Sequence, residues 1–496
     1  MKKTVPGSPT DSPFALDMNH KYLRFRRTKI VATIGPASSG PEMLRRLIAA
    51  GINVARVNFS HGDPDEKVRI MRRIREAARA EGTSVAILAD LCGPKIRVGK
   101  FRGGSIPLRE GSVVTITIDP VLGEEGLIPA TYRRLTKDVP PGSTILLDDG
   151  ALELKVLRKR PRALEARVIR GGVLRDGKGM NLPGSRLGIP ALTDKDRADV
   201  LRAIAGGADY LALSFVRRPR DLLDLRRLLE SRKASVPVIA KIEKPEALEH
   251  IREIVELADG LMVARGDLGV ELPVQKVPLI QNRLIQIASE AGKPVIVATQ
   301  MLESMVENAR PTRAEVSDVA AACAAGADAV MLSAETAAGK HPVEAVRMMD
   351  AILRETEAYQ FFALRGRFPR AGADRNSRLE EALGTATAQL SRDLMVRAIF
   401  VLTRSGTTAR HVSADRPAAP ILALTPSETV RRRLNLLWGV YPFLNARELD
   451  LREYVSRAEE ILGRLGIAAR GDYVLMLSGQ GTGGRGTDSI VVHRVR

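Results

Sequence analysis

The sequence predicts an α/β chain built around a closed (β/α)8 barrel of the TIM type, interrupted by an inserted all-β lid and followed by a separate C-terminal α/β domain. Three observations predict it. Short, almost wholly apolar runs that end in small or polar residues recur eight times, each leading into a stretch with helical 3.6-residue spacing. Between the third and fourth runs the rhythm gives way, for about a hundred residues, to short alternating segments. After a polar stretch at 370–378, a new set of apolar runs begins.

The eight candidate strands are 29–35, 54–60, 85–91, 210–216, 237–243, 260–267, 294–300 and 329–336. Most are apolar almost throughout, as parallel strands covered on each side should be. Helical patterns follow, for example at 41–50, 65–80, 245–257 and 342–357. The interruption holds alternating runs at 113–118, 144–147 and 152–157, and because it leaves from a strand end it should hang over the barrel mouth as a lid. Strands at 398–403, 420–425, 440–444, 473–479 and 489–495 form the last layer. The expected division is a tail at 1–24, loosened by Pro6, Pro9 and Pro13, a barrel at 25–90 and 191–365, a lid at 91–190, and a C-terminal domain at 375–496.

Composition narrows the functional classes. No apolar run reaches the ~18 residues of a membrane span, and the first residues lack the apolar core of a signal peptide. Two cysteines, Cys92 and Cys323, are too few for a disulfide framework, so a reducing cytoplasm is expected. The net charge of +19 would suit nucleic acid, but arginines are spread along the helices and aromatics make up only 4%. A solvated basic surface accounts for it, and neither a nucleic-acid nor a membrane partner is expected.

The strand ends carry the chemistry, because barrel enzymes place their sites at the carboxyl ends of the strands. In the second strand, period two puts Arg56, Asn58 and Ser60 on one face; Ser60 also fits a turn cap, and His61 a surface loop. The fifth ends in Lys241 and Glu243, which also fit a structural ion pair. The sixth run ends in Asp267, and two carboxylates on adjacent strands suit Mg²⁺, which takes one or two of them and leaves its other positions to water and substrate. Glycines around Asp267 let backbone N–H groups approach an anion. Asp90 ends the third strand, and Thr299, which also fits a helix cap, the seventh. Together these are the parts of electrostatic phosphoryl transfer.

The stretches RRTKIVATIGPAS, GINVARVNFSHG, DLCGPKIRVG, KGMNLPG, AKIEKPEAL, MVARGDLGVELP, ATQMLESM, PTRAEVSDVA and MLSAETAAGKHPVEAV, in this order, resemble the pyruvate kinase family. The resemblance runs from about residue 25 to 360 and weakens in the C-terminal domain. It implies transfer of a phosphoryl group from phosphoenolpyruvate to ADP, giving pyruvate and ATP in the last step of glycolysis. Glu243 and Asp267 would hold Mg²⁺, or Mn²⁺ in its place. Lys241 and Arg56 would neutralise the moving phosphate. The backbone of Ala264, Arg265 and Gly266 would receive the substrate carboxylate, and Thr299 would stand by the enolate carbon. Asn58, His61, Arg97 and Lys178 would meet ADP, whose own Mg²⁺ arrives with it, and the assembly would be a homotetramer.

Two further expectations concern regulation. Thr403, Arg404, Ser405, Gly406, Thr407 and Thr408 lead from a strand into a helix and suit an effector phosphate, such as a sugar phosphate or AMP; a capped helix without a ligand has the same pattern. Many pyruvate kinases hold K⁺ near Asn58, Ser60, Asp90 and the next residue, which is Thr in them, and carry Glu after a Gly-Pro pair. Here those two positions are Leu91 and Lys95, so a fixed ammonium replaces the ion and K⁺ is not expected to be required.

Rival readings are weaker. Gly479, Gly481 and Gly484 match a dinucleotide fingerprint, but no helical pattern follows them and the acidic residue expected ~20 positions on is missing. A Mg²⁺-dependent barrel lyase or aldolase acting on pyruvate or phosphoenolpyruvate shares the carboxylates but needs neither ADP nor the lid. A basic RNA-binding protein would lose affinity steeply with salt.

Overall fold

A computed structural model describes residues 25–60, 62–185, 187–363, 379–445, 449–479 and 488–496. The tail at 1–24, the polar stretch at 370–378, His61, Gly481 and Gly484 lie outside the described residues.

Eight parallel strands close into a barrel: β1 (Lys29–Ile34), β2 (Val54–Asn58), β3 (Ala86–Asp90), β4 (Tyr210–Leu213), β5 (Val238–Ile242), β6 (Gly260–Ala264), β7 (Val295–Ala298) and β8 (Ala329–Leu332). Each pairs with its chain neighbours, and β8 closes on β1. Every side chain of β1, β3, β4, β5 and β6 is buried, which is why these runs are apolar without alternation. Outward residues pack under the helices, while Val31, Leu88, Ala212, Ile239, Met262 and Ile296 fill the interior. Leu436, from a turn of the C-terminal region, joins that inner cluster and plugs it.

The strands stop short of the sequence expectation. β2 ends at Asn58, whose Oδ1 accepts from Ser60 N at 3.0 Å and turns the chain, so Ser60 does not continue the inward face. β6 ends at Ala264, and Asp267 lies in a short helix, Arg265–Glu271, because Arg265 and Gly266 are held by the end of β7. β8 likewise gives way to the helix Ala334–Ala337. The helix expected at 245–257 is broken at His250 into Glu246–Glu249 and Ile251–Leu257.

The lid is a six-stranded sheet with a separate two-stranded ribbon, and it includes one short helix, Leu135–Asp138, that the alternation did not signal. Its sheet ends in the strand Met180–Asn181, paired with Thr144–Leu147. Gly93, at the hinge, has φ +66°, and a Cβ there would stand 2.7 Å from the Phe215 ring, so only glycine lets the chain leave β3 in this direction.

The last layer is a five-stranded sheet, four strands parallel and the edge strand Ser489–Arg494 antiparallel, between two apolar clusters. It docks on the barrel's amino end. Lys29 Nζ, fully buried there, donates to Val440 O at 2.6 Å and lies 4.4 Å from the Tyr441 ring. Tyr210 OH donates to Arg433 O at 2.7 Å.

Candidate active site

The site is the continuation of the barrel's apolar interior. Period two carries Val31 to Thr33, Val54 to Arg56 and Asn58, Leu88 to Asp90, Ala212 to Ser214, and Ile239 to Lys241 and Glu243. On β6 and β7 the same positions are Ala264 and Ala298, which leaves room on that side of the mouth.

Most of these polar groups are buried, and all but Asn58 hold each other. Arg56 grips Asp90 Oδ2 through Nη2 at 2.6 Å and Nε at 2.7 Å, and donates to Thr33 Oγ1 at 2.9 Å. Lys241 Nζ lies 3.2 Å from Asp90 Oδ1 and 2.9 Å from Glu243 Oε1, and donates to Ser214 Oγ at 2.7 Å. Burial alone would raise the Asp90 carboxyl, but Lys241 and Arg56 hold it below the usual carboxylate range. Burial would likewise lower the Lys241 ammonium, yet Asp90 and Glu243 raise it, so it stays charged at any working pH. A permanent, fixed cation at a barrel mouth is what an anion in transit needs.

Glu243 Oε2 accepts from Phe215 N at 2.7 Å. Burial raises the Glu243 carboxyl and the Asp267 carboxylate raises it further, against the pull of Lys241. Among the described residues the Asp267 carboxylate makes no hydrogen bond or ion pair. No group of three or more His, Cys, Asp or Glu forms a metal cage among the described residues. A buried carboxylate beside a half-buried one that has no protein partner fits a cation such as Mg²⁺ that keeps most of its ligands from water and substrate.

Thr299 and Gln300 have positive φ, 70° and 54°, a strained turn at the end of β7. Thr299 caps a helix, though not the one that follows its own strand: its Oγ1 accepts from Gly266 N at 2.7 Å, at the start of Arg265–Glu271. The Arg265 side chain turns away to Thr299 O at 2.7 Å and Asp318 at 2.7 Å, so the Ala264–Gly266 segment offers backbone rather than guanidinium.

Of the residues assigned to nucleotide, Asn58 stands on the inward face of β2, and Arg97 and Lys178 are on the lid, where Arg97 forms a bridge with Gly179, the residue after Lys178. Arg97 Nη1 donates to Gly177 O at 2.9 Å, and Lys178 Nζ pairs with Asp148 at 2.8 Å. His61 is outside the described residues. The Leu91 side chain is buried in the apolar cluster outside the barrel. Lys95 lies beside Gly179 and shares with Asp267 the wall of a cavity of ≈ 250 Å³ between lid and barrel.

In the C-terminal layer, Gly406 adopts φ +90° before the helix Thr407–Ala414, and its N–H donates to Thr403 Oγ1 at 2.9 Å. Ser405 Oγ and Thr407 Oγ1 lie 2.9 Å apart at the surface. This is a turn with hydroxyls at a helix start.

Three site residues escaped the sequence reading: Thr33, Ser214 and Phe215. Ser214 and Thr33 were within reach, since each is the next inward position after an interior residue of its strand. Phe215 contributes a backbone N–H at φ 56°, which no side-chain pattern signals.

Comparison with known proteins agrees along the chain. Residues 25–346 match the pyruvate kinase barrel domain and residues 381–493 the pyruvate kinase alpha/beta domain. A pyruvate kinase of Geobacillus stearothermophilus is 47% identical over 473 residues, 94% of this chain and 80% of that protein. Pyruvate kinase 2 of a Synechocystis strain is 47% identical over 477 residues, 95% of this chain and 80% of that protein. The crystal structure of a pyruvate kinase from Cryptosporidium parvum superposes with a TM-score of 0.88 at 35% identity, covering 96% of this chain and 97% of that one. The chain therefore belongs to the pyruvate kinase family and is an enzyme of the phosphotransferase class.

Proposed function

We propose that the enzyme transfers the phosphoryl group of phosphoenolpyruvate to ADP, giving pyruvate and ATP, at the mouth formed by β2, β3, β5 and the helix Arg265–Glu271. The observation that carries this reading is the buried Lys241 ammonium, held between Asp90 and Glu243, whose carboxylates favour its charged form. Phosphoryl transfer needs little covalent help, so positioning and charge neutralisation supply most of the rate. Lys241 and Arg56 meet the charge on the phosphoryl oxygens. Backbone from Ala264 to Gly266 receives the carboxylate, and Thr299 Oγ1 orients the proton donor at the enolate carbon. Mg²⁺, or Mn²⁺, held by Glu243 and Asp267 would supply further charge neutralisation on the phosphoryl oxygens. Asn58, Arg97 and Lys178 would meet the nucleotide, as would His61, which lies outside the described residues.

The reading includes the division into barrel, inserted lid and C-terminal regulatory domain at the boundaries stated above, with an effector phosphate at 403–408. Its supports are the separate sheets of the barrel, the lid and the C-terminal layer and the turn at Gly406. A homotetramer is supported by Val274 and Leu279, 74% and 73% exposed on the barrel's outer surface, which a subunit contact would cover. No helix of the described residues is long and apolar enough to cross a membrane. A cytoplasmic location is also part of the reading, and its support is that Cys92 and Cys323 are both unpaired. A lactate-dehydrogenase-coupled assay run with and without ADP tests the activity. Pyruvate released from phosphoenolpyruvate at the same rate without ADP would instead support the lyase or aldolase reading.

A further inference from the structure

Glu243 and Asp267 belong to different elements, so their separation depends on whatever ties those elements together. Each has a close chain neighbour in one buried junction. Lys244 follows Glu243, and Glu271 stands one helical turn after Asp267. Lys244 Nζ donates to Glu271 Oε1 at 2.5 Å, the side chains being 11% and 2% exposed. The same oxygen accepts from Asn181 Nδ2 at 3.0 Å, and Asn181 belongs to the lid strand Met180–Asn181. Lys244 Nζ also lies 6.0 Å from the ring centroid of Phe215, whose N–H holds Glu243. The three residues line the cavity between lid and barrel.

An ion pair taken out of water adds little net stability, and an apolar pair of the same size would serve the fold as well. What it adds here is a directional contact between the strand end carrying one carboxylate and the helix carrying the other, with a third arm into the lid. We infer that Lys244, Glu271 and Asn181 are positioning residues that hold the two carboxylates at their working separation and couple that separation to the seating of the lid. The inference rests on Glu243 and Asp267 being the cation ligands.

The test is Mn²⁺ binding to the substrate-free enzyme, followed by electron paramagnetic resonance, together with KM and kcat. The double variant Lys244→Met with Glu271→Gln leaves the net charge unchanged, so a change in cation affinity reports geometry. It should bind Mn²⁺ about tenfold more weakly, the scale of losing an outer partner of a metal ligand, with an unchanged melting midpoint. Asn181→Ala keeps the ion pair and cuts the arm to the lid. It should raise KM for ADP about threefold, the scale of one hydrogen bond, while kcat and Mn²⁺ binding to the free enzyme stay at wild type. Glu243→Gln is the reference: if it leaves Mn²⁺ binding intact, the ligand assignment fails. If it abolishes binding while the double variant binds as wild type, the spacing role alone is overturned. A wild-type KM for ADP in Asn181→Ala overturns the coupling to the lid, and this variant decides the matter if the double variant does not fold.

Discussion

Asp90, at the end of β3, and Lys241, on β5, meet at 3.2 Å across the intervening strand β4. The cation is thereby fixed from two sides, since Glu243 holds it at 2.9 Å on the other. Lys241→Met should lower kcat by about a hundredfold or more, the scale of losing one preorganised electrostatic contact. Phosphoenolpyruvate should still bind in equilibrium dialysis. A variant within a few-fold of wild-type turnover would rule the role out.

The same carboxylate also anchors Arg56, so its loss leaves Arg56 without its carboxylate partner and the buried Lys241 with one of its two. Asp90→Asn should destabilise the protein by about 3 kcal/mol in chemical denaturation, as expected when one partner of a buried pair is removed. The sign with pH follows from the depressed folded-state pKa of Asp90. Its stabilisation is present above the unfolded carboxyl pKa and is lost as pH falls through the folded one. Wild type and Asp90→Asn should therefore converge in stability in acid, and curves that stay parallel would contradict the assignment.

Leu91 is packed into the outer core and Lys95 lies at the lid hinge, an arrangement without a hydroxyl ligand for K⁺ at residue 91 and with an ammonium near the mouth. Nearly full activity is expected in Mg²⁺ buffers free of K⁺ and NH₄⁺. Leu91→Thr combined with Lys95→Glu should make the enzyme dependent on K⁺. Strong activation of the wild type by K⁺ would sink the idea.

Lys29 is buried between the barrel and the C-terminal sheet with one carbonyl acceptor, Val440 O. Burial, reinforced by Arg26, lowers its pKa to about 7, while Glu357 opposes the shift. Between that value and the ordinary lysine range the unfolded chain binds the extra proton, so stability should rise with pH there. The slope is at most about 1.4 kcal/mol per pH unit from this one group. Lys29→Met should remove that slope relative to wild type and raise the melting midpoint at pH 7. Identical slopes in the two proteins would show that Lys29 stays charged when buried.

At the turn before Thr407–Ala414, Ser405 and Thr407 present neighbouring hydroxyls at the surface. A phosphorylated metabolite bound there should lower the KM for phosphoenolpyruvate. Ser405→Ala with Thr407→Ala should abolish that response and leave basal kcat within about twofold, because the turn itself is held by Thr403. No change in substrate affinity with any sugar phosphate or AMP would refute the site.

Much of the mouth was legible because it repeats a period. Arg56, Asp90, Lys241 and Glu243 each stand at an inward position of a strand whose lower inward positions are apolar, and a charge there is costly unless it is used. The period fails where the strand does. Ser60 and Asp267 were read as strand ends, but pairing stops at Asn58 and Ala264, where a side chain or a neighbouring strand captures the backbone. Thr299 was legible as a hydroxyl that caps something, yet the helix it caps begins on β6, a partner some 30 residues away in the chain.

Local chain chemistry was enough for the eight βα units, the interruption, and the identity of the residues on the inward faces, because burial on both sides of a parallel strand imposes its own composition. Which groups touch was decided by barrel closure and register. Closure brings Asp90 and Lys241 together over β4, seats Asn181 of the lid on Glu271 beneath it, and leaves the Lys29 ammonium with a single carbonyl. Those contacts join residues 90 to more than 400 positions apart, and no local pattern can encode a distance that depends on every strand between them taking its place.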